Sequence, residues 1–109
     1  MPIYIFLSKL ITEGRRTIKA RPERIKEVNH EIEAFGAKVL EQYLVLGPYN
    51  FVNIVEAPSN EALIKVSIEL GSRGTVQITS MPATSIENFI SMIKSANLQK
   101  ESKSSMIRM

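Results

Sequence analysis

Two glutamates, Glu41 and Glu56, are the side chains whose spacing comes closest to chemistry. They sit at the outer ends of two apolar runs joined by Gly47-Pro48-Tyr49-Asn50. Folding about that turn predicts Leu46 opposite Phe51 and Glu41 opposite Glu56. Two carboxylates so placed repel unless one keeps its proton or a cation lies between them, and such a pair can serve as acid and base. Tyr43, on the same face as Glu41, can aim its phenol into the same space, and Gln77 and Thr79 of a later strand share that face. The commoner arrangement for these residues is structural: glutamates solvated at a sheet margin or bridged by a neighbouring subunit's cations, and tyrosine filling an interface. Tyr49 and Asn50 are candidates for ligand or subunit contact, with local turn geometry the weightier reading. Asn53 stands among apolar neighbours and needs a partner if it is buried.

The composition removes several other chemistries. There is no cysteine, no tryptophan and no aspartate among the 109 residues, and all 11 acids are glutamates. Disulfides, thiolate metal sites and cysteine nucleophiles are therefore excluded. A metal site would have to be built from glutamates and the one histidine, an unlikely ligand set, so no metal and no cofactor is expected. His30 falls on the polar side of its helix and reads as a solvated residue. Positive charge is local: Arg15, Arg16, Lys19, Arg21, Arg24 and Lys26 face only Glu23 within one segment. That segment has no interleaved aromatics, and nucleic acid is not an expected partner. No run is long and apolar enough for a membrane span, and the opening residues do not read as a signal peptide, so a cytoplasmic protein is expected.

Positioning these residues takes four strands and two helices. Ile3 to Leu10 is apolar at both alternate sets and predicts a central strand buried on both sides. Thr12 suits a cap for a short turn through Lys19, and Pro22 suits the start of a longer helix. On that helix Ile25, Val28, Ile32 and Phe35 form a stripe, with Gly36 as its stop. After the hairpin, Ser59 suits an N-cap. Ala62, Leu63, Val66 and Leu70 then make an inward stripe, while Ile64 and Ile68 point the other way. Thr75 to Met81 predicts the last strand, closed by Pro82. A third helix from about Ser85 to Ala96 carries Ile86, Phe89, Ile90 and Ile93 on one side, able to cover Ile64 and Ile68 or to reach a neighbouring subunit.

The order predicts an α+β fold, a ferredoxin-like βαββαβ unit with a four-stranded antiparallel sheet, helices on one face and an extra C-terminal helix. Residues 1–96 form the domain with its appended helix, and residues 97–109 a tail that is flexible or docked in an assembly. The hairpin's two faces are both apolar, so the helix-free side of the sheet needs cover, and a second copy packed sheet to sheet supplies it. A homo-oligomer, a dimer or a multiple of dimers, is the expected state.

Several segments resemble the GYD domain family from Met1 to about Phe89. They are the opening Met-Pro-Ile-Tyr-Ile, Thr12-Glu13-Gly14, Pro22-Glu23-Arg24, the turn Leu46-Gly47-Pro48-Tyr49-Asn50-Phe51-Val52, Val55-Glu56-Ala57-Pro58, and Leu70-Gly71 followed by Gly74 and Val76. The name-giving Gly-x-Tyr-Asp ends here in Asn50, which removes that side chain as a base. The resemblance implies a ferredoxin-like domain of the dimeric α/β barrel kind and brings no catalytic residues with it. The turn alone is also similar to one in the effector-binding domains of Lrp/AsnC-type regulators, although no helix-turn-helix precedes it here. Two functions remain in view. One is an oligomeric small-molecule-binding or structural module using the open face through Glu41, Tyr43, Glu56, Gln77 and Thr79. The other is a small cofactor-free enzyme, an isomerase or monooxygenase, with an interfacial cavity lined by the same residues.

Overall fold

The computed structural model describes residues 1–108, with side chains as far as Gln99. Its elements run β1 (Ile3–Leu10), α1 (Thr12–Ala20), α2 (Arg24–Ala34), β2 (Lys38–Leu44), β3 (Phe51–Glu56), α3 (Asn60–Gly71), β4 (Val76–Ala83) and α4 (Ile86–Arg108). The strands make one antiparallel sheet in the order β2-β3-β1-β4, the interleaving of a ferredoxin-like fold. The two-sided apolar runs of β1 and β3 occupy the centre, where both faces of a strand can be shielded. Pro82, expected to close the last strand, lies inside β4 opposite Tyr4. That is tolerable because β4 is an edge, with no neighbour on its outer side to miss the absent N–H.

The helices cover one face. Against them lie the rows Val39–Val55–Tyr4–Pro82, Gln42–Asn53–Phe6–Ser80 and Leu44–Phe51–Ser8–Ile78. Tyr4, Phe6, Val55, Ala57, Ile32, Leu63, Val66 and Leu70 are buried there as one cluster. Local signals explain how the helices are set. Ser59 caps α3 by accepting a hydrogen bond from the amide of Ala62 at 3.2 Å. The hydroxyl of Tyr4 donates to Oδ1 of Asn60, tying β1 to the start of that helix. Gly36 ends α2 at φ 87°, a conformation that a residue with a Cβ adopts only with strain. Gly14 of α1 has a different reason: a Cβ there would lie 2.1 Å from the carbonyl oxygen of Thr75, so only glycine lets α1 seat against the start of β4. Thr12 does not cap α1. Ile11 holds the cap position in extended conformation with no side-chain bond, and Thr12 is already helical.

The terminal helix departs most from expectation. It is capped at Ser85, whose hydroxyl accepts from the amide of Asn88 at 3.1 Å. It continues past Ala96 to Arg108, a span of 23 residues or about 35 Å. Leu, Gln, Lys, Glu, Met and Arg beyond Ala96 are good helix formers, which outweighs the serines. Ile86, Phe89, Ile90 and Ile93 remain exposed, and so do Ile64 and Ile68 on α3, so α4 does not cover them. Met109 lies outside the described residues.

Candidate functional site

Among the described residues no helix packs on the opposite face of the sheet. Its rows are Lys38–Glu56–Ile3–Ala83, Glu41–Ile54–Ile5–Met81 and Tyr43–Val52–Leu7–Thr79, with Lys9 and Gln77 beyond. The middle of this surface is aliphatic, and the polar residues ring it. All five open-face candidates do lie on this side, as strand alternation requires.

Apart from Glu41 and Tyr43, which bond each other, they do not converge. Glu41 and Tyr43 are on β2, at one edge, and Gln77 and Thr79 on β4, at the other. Three strand spacings, about 14 Å, separate the edges within one chain. The expected opposition of Glu41 and Glu56 does not form. Glu41 is across from Ile54, and Glu56 is across from Lys38. Two causes shift the register. The hairpin closes where the amide of Val45 donates to the carbonyl of Asn50 at 2.8 Å, making Leu46–Tyr49 the loop, so Leu44 rather than Leu46 meets Phe51. A bulge between Val39 and Glu41 then offsets the pairing by one more residue. Each glutamate has its own partner. Oε2 of Glu41 accepts a 2.7 Å hydrogen bond from the Tyr43 hydroxyl, and Glu56 lies 3.9 Å from the N-terminal ammonium of Met1. The bond to Glu41, reinforced by the negative charge of that carboxylate, pushes the Tyr43 phenol above its ordinary value. A phenol so held is a poorer acid, not an activated one.

Asn50 has a structural task. Its backbone amide donates to the carbonyl of Ser8 at 2.8 Å, and its Oδ1 accepts from the amide of Leu10 at 2.9 Å. The hairpin end is thereby fastened to the end of β1. Only the acceptor of the side chain is used, which explains how asparagine can stand where the family pattern has aspartate. Tyr49 sits half-buried in the loop beside it.

Three of the six cations of the basic segment are paired with glutamates. Arg21 pairs with Glu27 at 2.6 Å, Arg24 with Glu27 at 3.0 Å and Glu31 at 3.3 Å, and Arg16 with Glu13 at 3.3 Å. Arg73, beyond α3, also grips Glu31 and holds Glu69 at 3.2 Å. The hydrogen bond from Arg73, with the charges of Arg73 and Arg24, keeps the Glu31 carboxyl below its usual value against the opposing effect of burial. His30 is in solvent, 80% exposed. Among the described residues no three His, Cys, Asp or Glu side chains come together as a metal site needs. None of the described helices is long and apolar enough to cross a membrane.

Sequence reasoning missed the space under the helices. A cavity of about 240 Å³ lies between the sheet and the α1–α2 layer, with Ser8, Asn53, Gln42 and Asn29 among its lining. The one available signal was Asn53, polar within an apolar strand; Ser8 carried none until its face was known.

Interleaved strands, helices on one side and a bare aliphatic surface on the other define a small α+β domain of ferredoxin-like topology. The chain belongs to the GYD domain family, whose pattern it matches over residues 4–93. It is 44% identical over 95 residues to a Thermus thermophilus protein named glutamine synthetase and cystathionine beta-lyase binding protein; the match covers 86% of this chain and all of that one. Among solved structures it is similar to MtbAldR, with a TM-score of 0.58 at 20% identity, over 77% of this chain and 52% of that one. This chain thus spans about half the length of MtbAldR, and the likeness is one of fold.

Proposed function

We propose that this protein is an oligomeric protein-binding module, not a catalyst: copies pair through the open sheet face, and the assembly engages enzymes of the kind its relative is named for. The observation that carries this reading is the layout of the open face, where polar groups are dispersed to opposite edges around an aliphatic centre. Such a surface suits protein contact, while acid–base chemistry requires groups within hydrogen-bond reach of one reacting atom. A two-fold partner laid on this face brings a second set of Glu41, Tyr43, Glu56, Gln77 and Thr79 over the first, so any small-molecule pocket on this side belongs to the assembly. The exposed apolar residues of α3 and α4 offer further surface for a larger partner. Identity spanning the whole of the Thermus relative supports glutamine synthetase and cystathionine β-lyase as the partners to try first, and we place the protein with them in the cytoplasm.

The test uses the full chain and the two enzymes purified from the same source. Light scattering is expected to show a dimer or larger assembly at micromolar concentration, and co-elution with at least one enzyme. A monomer that co-elutes with neither overturns the proposal.

A further inference from the structure

The helix-covered face holds a partly open cavity between the sheet and the α1–α2 layer, with a buried polar group in its lining. Phe6, Ser8, Phe51 and Asn53 of the two central strands form its floor, and Ile18, Ile25, Val28 and Ile32 of α1 and α2 lie over them. Two features separate this space from a packing defect. The first is residue choice. Central-strand positions facing helices normally carry bulk, as Tyr4, Phe6 and Val55 do here, yet Ser8 and Asn53 occupy two of them, diagonal to each other across the β1–β3 ladder. Serine leaves the volume unfilled and asparagine points polarity at it.

The second feature is an unmet hydrogen bond. Asn53 is only 5% exposed, and its Oδ1 has no hydrogen-bond partner among the described residues. The nearby amides bond each other, and neither donates to it. Nδ2 of Asn29 donates to Gln42 at 2.9 Å, and Nε2 of Gln42 donates back at 3.1 Å. Buried polar groups are nearly always satisfied, so a lone acceptor beside a cavity marks a place for a donor from elsewhere. The lining also sets the charge of the occupant. Arg24 and Arg73 border the space, but both guanidiniums are held by glutamates. No uncompensated charge awaits an anion.

We infer that this cavity binds a neutral, mostly apolar ring compound that donates one hydrogen bond to Oδ1 of Asn53, a molecule of phenol or indole type. An apolar cavity of about 150 Å³ already accommodates benzene, so a fused bicycle fits the larger space here. The site is on the other side of the sheet from the proposed subunit contact, and the two readings stand or fall separately.

Indole titrated into the full chain decides the matter, with its own emission as one readout because the chain has no tryptophan. Saturable binding is expected, with amide resonances shifting around Ser8, Ile32 and Asn53 and the Asn53 side-chain NH₂ moving with them. Indene, the same bicycle without an N–H, is expected to bind about tenfold more weakly, the loss of one hydrogen bond. Asn53→Leu should erase that preference, and Ser8→Leu, which fills the space, should abolish binding of both. Should Asn53→Leu fail to fold, the indole–indene comparison on the wild-type chain and the Ser8→Leu variant still decide. Absence of saturable binding, equal affinity for indole and indene, or shifts confined to open-face residues such as Ile5 and Val52 each overturn the inference.

Discussion

The two faces of this sheet are built from the same strands and solve opposite problems. Under the helices the apolar side chains of the two central strands are removed from water, with Phe6 at 1% exposure and Val55 at 0%, yet that side admits Asn53, Gln42 and Ser8 and leaves a cavity. On the bare side Ile5, Leu7, Val52 and Ile54 are only half covered, and no polar residue interrupts them. Burial alone would put the polar groups outside and the aliphatic ones within. The inversion teaches that the inner face carries enough packing to keep a polar feature, while the outer face keeps the apolar centre that the proposed contact requires.

Adjacent residues of β1 give the most forceful way to break this comparison, because they point to opposite sides. Phe6→Ala should cost about 3–5 kcal/mol of stability through lost burial and the cavity it leaves. That is a large part of the total for a domain of this size, about 5–15 kcal/mol, and urea denaturation reads it directly. Leu7→Glu should leave the individual chain folded by circular dichroism but abolish the proposed assembly, since two charges would be pressed into an apolar contact. Light scattering reads that loss. If Leu7→Glu keeps the assembled mass, or unfolds the chain as Phe6→Ala does, the distinction between the faces fails.

A smaller effect sharpens the account of the hairpin. Asn50→Ala removes the acceptor for the Leu10 amide and should cost about 1 kcal/mol, whereas Asn50→Asp keeps an acceptor in the same place and should cost a few tenths at most. Midpoints of urea unfolding separate the two. A loss in the Asp variant equal to that in the Ala variant would mean that the amide nitrogen, and not Oδ1, does the fastening.

The fold was legible because its signals are local. Two-sided apolar runs gave the central strands, Gly36 and Ser59 gave helix limits, and the element order left one sensible topology. The Glu41–Glu56 pairing was misread first because the turn closes one residue early, at Leu46–Tyr49, which already puts Glu41 opposite Ile54; the bulge between Val39 and Glu41, with neither glycine nor proline to mark it, then sets Glu56 opposite Lys38. Register is a property of two strands and their turn, and here Asn50's bonds to Ser8 and Leu10 of a third strand decide where the turn closes. The cavity was illegible for a similar reason. Ser8 and Asn53 are 45 positions apart in sequence and become neighbours only through the β1–β3 ladder. The length of α4 was hidden by serines, which suggest a loose tail when read without their helix-forming neighbours.

A last effect, no larger than that of Asn50→Ala, concerns the charged clasp over the helix side, and its sign follows from the direction of one titration. Arg73, just beyond α3, and Arg24 on α2 both hold Glu31, joining segments 42 residues apart. The Arg73 hydrogen bond keeps the folded-state carboxyl below its ordinary value of 4.5. A group depressed in the folded state stabilises the fold in full above the unfolded value and loses that contribution as pH falls through the folded one. Glu31→Gln should therefore weaken the protein at pH 7, by no more than about 1 kcal/mol because the pair is partly solvated. The deficit should shrink as the pH drops below 4.5 and vanish once the wild-type carboxyl is protonated. Urea midpoints for both chains at neutral and acidic pH test this, and only their difference matters, because the other glutamates titrate in both. The same substitution should leave the assembled mass unchanged, since Glu31 is on the helix side. A deficit that persists undiminished in acid would show that Glu31 acts through packing rather than charge, and a change in assembly would place the clasp at the interface rather than behind it.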